Sequence, residues 1–261
     1  MLKIFYSNIL DGNMNMNQKF YPEYMTKEDI KKDFKLRRQL FGERNNFDGL
    51  KIIVPSQKSN ANPQNNYEDG HYERITPDMI NGYEDLYDLD IYADILMIDD
   101  KLPNIALAYP SADCPIIFAT DKIHNVTAMA HCGAEYIDRE LPSQIIDALR
   151  QETDVLPEYI DIYVGPHGKK ESYAYDCYPK WAKNPSIWEN AIVEEKDNLL
   201  HIDMEKAILK QLYNQNLHPE NITICDIDTI KNPLYYSNSA ARYDQNKAGR
   251  FYQGCIYQKT K

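Results

Sequence analysis

The sequence predicts an α+β chain built on mixed sheets, and three observations point there. Short, continuous, β-rich apolar runs come in pairs; single stretches of helical period separate them; and no repeat or Ser/Gly linker divides the 261 residues. Strand pairs, then single helices, then further strands do not make the regular alternation of a βαβ array. A chain of this length with 43% apolar residues can bury one large core. We therefore expect a single domain over residues 1–261.

The elements follow in order. Thr26 with Asp29 three residues later, then Ile30, Phe34 and Phe41, reads as a capped amphipathic helix ending near Gly42. Residues 51–54 form a short strand stopped by Pro55, and residues 56–82, rich in Asn, Gln, Asp, Gly and Pro, read as loop. Residues 93–98 and 105–109 are expected as one strand pair, and residues 115–120 and 126–130 as another. A helix over residues 143–152 carries Ile145, Ile146 and Leu149 on one face. Residues 160–164 are a strand that runs into Gly165-Pro166-His167-Gly168. Asp203 can cap a helix bearing Ala207, Ile208 and Leu212, and residues 222–225 and 251–257 close the chain as strands.

Charge and composition exclude several functions. A net charge of −11 and a pI near 5.0 argue against nucleic-acid and anionic-membrane partners, which select clustered cations. The basic cluster at Lys31-Lys32 and Arg37-Arg38 alternates with Glu28, Asp29 and Asp33 and reads as a solvated helix face. No apolar stretch reaches membrane-span length, and the first residues lack a signal-peptide core. Five scattered cysteines fit reduced thiols better than a disulfide framework, so a cytoplasmic location is expected. The 21 tyrosines suggest no function.

The chemistry concentrates in two islands, Ser111-Ala112-Asp113-Cys114-Pro115 and Ala130-His131-Cys132-Gly133. Each follows an apolar run. If those runs were adjacent strands, the Cys114 thiol and the His131 imidazole would meet at one sheet end. That layout serves a Cys/His nucleophile pair, a partial metal site, or a buried cysteine beside a hydrogen-bonded histidine. Cys132, one residue on, should alternate into the core.

The order of motifs resembles the laccase-domain family, whose members are called polyphenol oxidases and purine nucleoside phosphorylases. It runs Ala93-Asp94-Ile95-Leu96, Ala112-Asp113-Cys114-Pro115, His131-Cys132-Gly133, Val164-Gly165-Pro166 and Gly249-Arg250, with Asn232-Pro233-Leu234-Tyr235-Tyr236-Ser237 before the last. The resemblance implies sheets packed face to face with helices outside, in four layers α/β/β/α. It also implies a site of two histidines and one cysteine able to hold zinc, with an arginine for an anion. Cys114 and His131 fall on two of those ligands, so both are candidate catalytic residues and candidate zinc ligands.

The chain departs from the family pattern in three places. Ser59 stands where the first histidine belongs, and Glu135 where the histidine motif carries arginine. Of the later Cys-rich segment only Tyr173 is kept. Zinc would then lack its usual three protein donors, and Glu135 would repel an anion where Arg would attract it. His71 is the candidate third zinc ligand, with His167 as the other residue that could supply the missing donor. Asp113, His167 and Arg242 are candidate substrate contacts with Tyr173, and Asp113 could otherwise orient His131 or cap a turn. Copper is not expected, since the histidines at 71, 124, 131, 167, 201 and 218 form no His-x-His pair.

Three functions remain open at this point. One is a nucleoside-directed enzyme of the purine nucleoside phosphorylase type, weakened or altered in specificity. Another is a non-catalytic nucleoside- or nucleotide-binding sensor or sponge in the same fold. The third is a Cys-His hydrolase or deamidase with Cys114 as nucleophile. A small-molecule nucleoside or nucleotide is the partner in the first two.

Overall fold

The computed structural model describes residues 1–47, 51–55, 69–83, 86, 89, 91–195 and 198–258. Along the chain the strands are β1 (Leu2–Tyr6), β2 (Lys51–Ile53), β3 (Tyr72–Arg74), β4 (Ile95–Asp99), β5 (Ile105–Ser111), β6 (Ile116–Asp121) and β7 (Val126–His131). They continue with β8 (Ile160–Val164), β9 (Ala174–Tyr175), β10 (Ile192–Glu194), β11 (Leu200–Ile202), β12 (Ile222–Ile224) and β13 (Phe251–Tyr257). The helices are α1 (Lys27–Arg44), α2 (Pro77–Ile80), α3 (Ala134–Asp138), α4 (Leu141–Thr153), α5 (Pro185–Trp188) and α6 (Met204–Asn214).

Two mixed sheets carry the fold. One runs β1-β13-β5-β2 and the other β12-β8-β6-β7-β4-β3, with β10-β11-β9 as a small third sheet. The two-residue period of each strand sorts its side chains between layers. Leu96, Ile98, Ile116, Phe118 and Met129 point from the larger sheet toward Leu107, Tyr109, Cys255 and Tyr257 of the other, forming the inner core. Their alternates Ile95, Met97, Ile117, Ala128 and Ala130 face away and pack against Ile145, Ile146 and Leu149 of α4 and Ile208 and Leu212 of α6. On the far side Ala106, Ala108, Tyr252 and Ile256 meet Phe34 and Phe41 of α1. The result is a four-layer α/β/β/α arrangement with the sheets face to face and helices outside.

Local signals account for the helices. Thr26 and Asp29 form a reciprocal capping box on α1. Phe34 and Phe41 are each 1% exposed, and burying an aromatic of this size contributes about 2–3 kcal/mol. The Asp203 side chain accepts from the Lys206 amide and starts α6.

The structure corrects two expectations. β4 and β5 are both strands but not partners: β4 pairs with β7 and β3, whereas β5 pairs with β13 and β2. The short connection after β4 passes between the two sheets, and runs buried on both faces carry no record of their neighbour. The segment expected as loop over 56–82 contains β3, a polar edge strand parallel to β4, and the single turn of α2 behind Pro77. β1, β9, β10, β11, α3 and α5 also went unseen. All are five residues or fewer, too short for a period to register.

Candidate active site

Five strand ends converge where the two sheets meet. Phe251, first residue of β13, lies opposite Ser111, last residue of β5. Arg250 therefore sits at the edge from which the chain crosses to the larger sheet through Ala112, Asp113 and Cys114. There Ile116 of β6 pairs with His131, the last residue of β7. Gly165, just past β8, donates its amide to the Ile116 carbonyl at 2.9 Å. The neighbour that brings Cys114 to His131 is thus β6, not β5, whose end lies in the other sheet.

The crossover is held in an uncommon shape. Asp113 has a φ of +80°, in the region favoured by glycine. Its buried carboxylate accepts from Thr229 Oγ1 at 2.9 Å and from the Ser239 amide at 2.8 Å. Its carbonyl accepts from the Gly168 amide at 2.9 Å. Ser111 Oγ donates to the Cys114 carbonyl at 2.6 Å. Asp113 therefore tethers three loops around Cys114 and does not turn toward His131.

Together these residues enclose a cavity of about 180 Å³ lined by Cys114, His131, Tyr173, Tyr175, Arg242 and Arg250, with Asp113 and Ser239 in its wall. Cys114 and His131 keep partial exposure because the cavity reaches them. A Cβ built on Gly133 would lie 3.3 Å from Cys114 Sγ and 4.0 Å from His131 Nε2. The sulfur and the ring nitrogen thus flank one small space, which the missing glycine side chain leaves open. The Tyr109 and Tyr136 rings stand 6.0 and 6.4 Å from the imidazole, centroid to centroid. Tyr173 Oη and Tyr175 Oη, also in the lining, are 3.0 Å apart in a hydrogen bond.

The electrostatics follow from burial and one cation. Burial, with the Arg250 charge adding to it, pulls the His131 pKa down to about 4, so the imidazole is neutral at neutral pH. Burial and the neighbouring Asp113 charge push the Cys114 thiol up to about 12, against a smaller opposing pull from Arg250. Arg250 is itself held below its ordinary value by burial, while Cys114 and Asp113 pull it back up. Its Nη1 donates to the Gly249 carbonyl at 2.7 Å, and its guanidinium lies 5.0 Å from the Phe20 ring centre.

The other expected site residues divide. Tyr173 and Arg242 line the cavity, Arg242 from an exposed position. His167 does not: it is fully buried behind the wall, with Nδ1 2.8 Å from the Gly165 carbonyl and Nε2 3.1 Å from Glu205 Oε1. Both ring nitrogens are spent on holding the turn after β8 to α6. His71 is also outside the cavity lining, its Nε2 3.2 Å from Glu73 Oε1 beside the edge strand β3. Glu135 is exposed on the first turn of α3, and Ser59 lies outside the described residues. Cys114 and His131 supply two donors around the Gly133 space, but no three His, Cys, Asp or Glu side chains are grouped for one ion among the described residues. A catalytic zinc normally takes three protein ligands, so the described residues do not complete such a site.

With this geometry in hand, the chain can be set beside known proteins. Residues 80–258 match the family model for the multi-copper polyphenol oxidoreductase laccase. The chain belongs to this laccase family. A purine nucleoside phosphorylase of Clostridium acetobutylicum is 27% identical over 217 residues, covering 80% of this chain and 87% of the relative. Two solved structures share the fold. YlmD from Geobacillus stearothermophilus superposes with a TM-score of 0.77 at 15% identity, covering 99% of this chain and 92% of that one. The hypothetical protein YfiH of Bacillus licheniformis gives 0.72 at 16% identity, covering 99% and 93%. Among the described residues of this laccase-family chain, no helix is long and apolar enough to cross a membrane.

Sequence reasoning missed Arg250 as a site residue, although Gly249-Arg250 helped to mark the family. The signal was a cation directly before an apolar seven-residue strand, at a sheet end rather than on an open face. Tyr175 and Ser239, also in the cavity wall, had no such signal.

Proposed function

We propose that this chain is a nucleoside-directed enzyme of the purine nucleoside phosphorylase type. One observation carries the reading: Arg250 places a guanidinium in the same cavity as Cys114 and His131. The cation absent at Glu135 thus has a counterpart in the cavity lining, supplied from the other sheet. The name of the Clostridium relative is consistent with this choice of reaction.

In the proposed reaction a phosphate oxygen bonds to C1′ of the ribose as the bond from C1′ to the purine nitrogen breaks. The bonding electrons leave on the base, which takes up the proton that the hydrogen phosphate gives up as its oxygen bonds to carbon. Arg250 holds the phosphate through charge-assisted hydrogen bonds in the inner cavity. His131, neutral beside Arg250, offers one ring N–H as donor and one nitrogen as acceptor to substrate hydroxyl or base atoms. Tyr173 and Tyr175 form an aromatic wall against which a purine or sugar face can pack. Cys114 lines the floor as a thiol.

That thiol argues against the hydrolase alternative. A cysteine nucleophile works as thiolate and sits where its pKa is depressed, whereas burial and Asp113 push Cys114 the other way. The sensor or sponge reading differs only in turnover. The test is release of free base from adenosine, inosine and guanosine, followed with and without inorganic phosphate. Phosphate-dependent release supports the enzyme. Binding without release would establish the sensor reading in its place.

A further inference from the structure

The inner cavity is small for its proposed ligand. Sites for drug-sized ligands run to about 300–1,000 Å³, and this one measures about 180 Å³. A second cavity of about 500 Å³ adjoins it, and Tyr175, Ser239 and Arg242 line both. A nucleoside whose reacting bond lies at Cys114 and His131 must extend past Arg242 into this outer space.

The outer cavity has a definite charge. Lys231, Arg242 and Lys247 line it, against Asp244 alone. Asp244 is turned to its own loop, where Oδ1 accepts from the Asn246 amide at 3.0 Å. Lys247 is only 7% exposed. Its ammonium donates to the Asn232 carbonyl at 2.6 Å and to the Thr229 carbonyl at 3.4 Å, neutral acceptors that orient the charge without cancelling it. Burial accordingly lowers its pKa, partly offset by Asp113, Asp244 and Asp228. Among the described residues Lys231, Arg242, Lys247 and Arg250 form no ion pair. This is contrary to the average of a chain with 40 acidic and 29 basic side chains, in which a cation readily finds a carboxylate. A buried ammonium whose direct partners are neutral carbonyls, with carboxylates acting on it only from a distance, is costly to maintain, and an arriving anion relieves that cost.

We propose that the two cavities together take a purine nucleotide, with its phosphate group in the outer cavity against Lys231, Arg242 and Lys247. This rests on the nucleoside-directed reading of the inner cavity and specifies its substrate class. The same cations could instead serve free inorganic phosphate, and the experiment separates the two sources.

Binding is measured by titration calorimetry for adenosine, adenosine with added inorganic phosphate, and adenosine 5′-monophosphate. Charge-assisted hydrogen bonds predict at least a roughly tenfold preference for the monophosphate over adenosine. That preference should shrink to within about threefold in Lys231→Ala and in Lys247→Gln. Lys231 is exposed, so its variant keeps the test interpretable if the buried Lys247 proves necessary for folding. Equal or weaker binding of the monophosphate overturns the inference and leaves the nucleoside reading intact. So does a preference that survives Lys231→Ala. Tightening of adenosine by inorganic phosphate, with no advantage for the monophosphate, assigns the cations to the free anion and likewise overturns it. Binding of neither adenosine nor the monophosphate overturns the nucleoside reading, and this inference with it.

Discussion

Gly133→Ala separates the stability of this site from its chemistry. Gly133 has φ −61° and ψ 162°, a conformation any residue adopts, so alanine brings no backbone strain. As the residue before α3, glycine is a better cap than alanine by about 1 kcal/mol, while stiffening the unfolded chain returns about 0.4–1 kcal/mol. The new methyl would stand 3.3 Å from Cys114 Sγ, a crowding that the side chain relieves by shifting a few tenths of an ångström. Net stability should therefore change by no more than about 1 kcal/mol, or roughly 2–4 °C in Tm for a chain of this size. The same methyl, however, fills the space between Sγ and His131 Nε2, 4.0 Å away. Displacing a reacting group by about 1 Å can cost on the order of a hundredfold. Thermal unfolding and phosphate-dependent base release on one preparation make the comparison. A normal Tm with kcat/KM lowered about a hundredfold is the expected pair of results. A normal Tm with unchanged kcat/KM would refute the claim that this space belongs to the reacting centre.

Two further predictions follow from the same residues. Asp113→Ala removes both carboxylate hydrogen bonds at a residue with φ +80° and should destabilise by about 2–4 kcal/mol. Asp113→Asn keeps one acceptor and tolerates that φ, so denaturant titration should place it between alanine and wild type. His131 gives a pH signature: its pKa is about 4 in the folded protein and near 6.5 when unfolded, so the unfolded chain binds the extra proton between those values. Stability present above pH 6.5 is therefore lost as the pH falls toward 4, by at most roughly 3 kcal/mol given that the cavity reaches the ring. Denaturation at neutral pH and at about pH 5 should show a smaller drop in His131→Gln than in wild type. Equal drops would remove His131 from the account of acid sensitivity.

Much of the fold was legible because its signals are local. Thr26 with Asp29, Asp203 before its helix, and the apolar run 251–257 each state an element and its limits without reference to anything distant. Pairing was not legible in the same way. β4 and β5 are largely apolar runs with five residues between them, a spacing that suits a hairpin as well as a crossing between sheets. Only the alternation of Leu96 and Ile98 against Ile95 and Met97, sorted by what packs on each face, distinguishes the layers. The site shows the same division. Cys114, His131, Tyr173 and Arg242 were found from motif order, and the structure brings them to one cavity. His167 looked equally well placed beside its glycine-proline turn, but its partner Glu205 comes from a helix 38 residues later. Arg250 was hidden for the opposite reason: a single cation before a strand has no period, and its meaning comes from Ser111 across the sheet.

The central claim is that Arg250 holds the attacking anion beside His131 and Cys114, and the phosphate dependence of turnover in Arg250→Gln tests it most directly. Losing a guanidinium–phosphate contact of about 2–3 kcal/mol should raise the apparent KM for phosphate roughly thirtyfold to a hundredfold or more, with a much smaller change in KM for the nucleoside. A variant whose phosphate KM matches wild type would contradict the account, because the cation in the cavity would then not be where the anion binds.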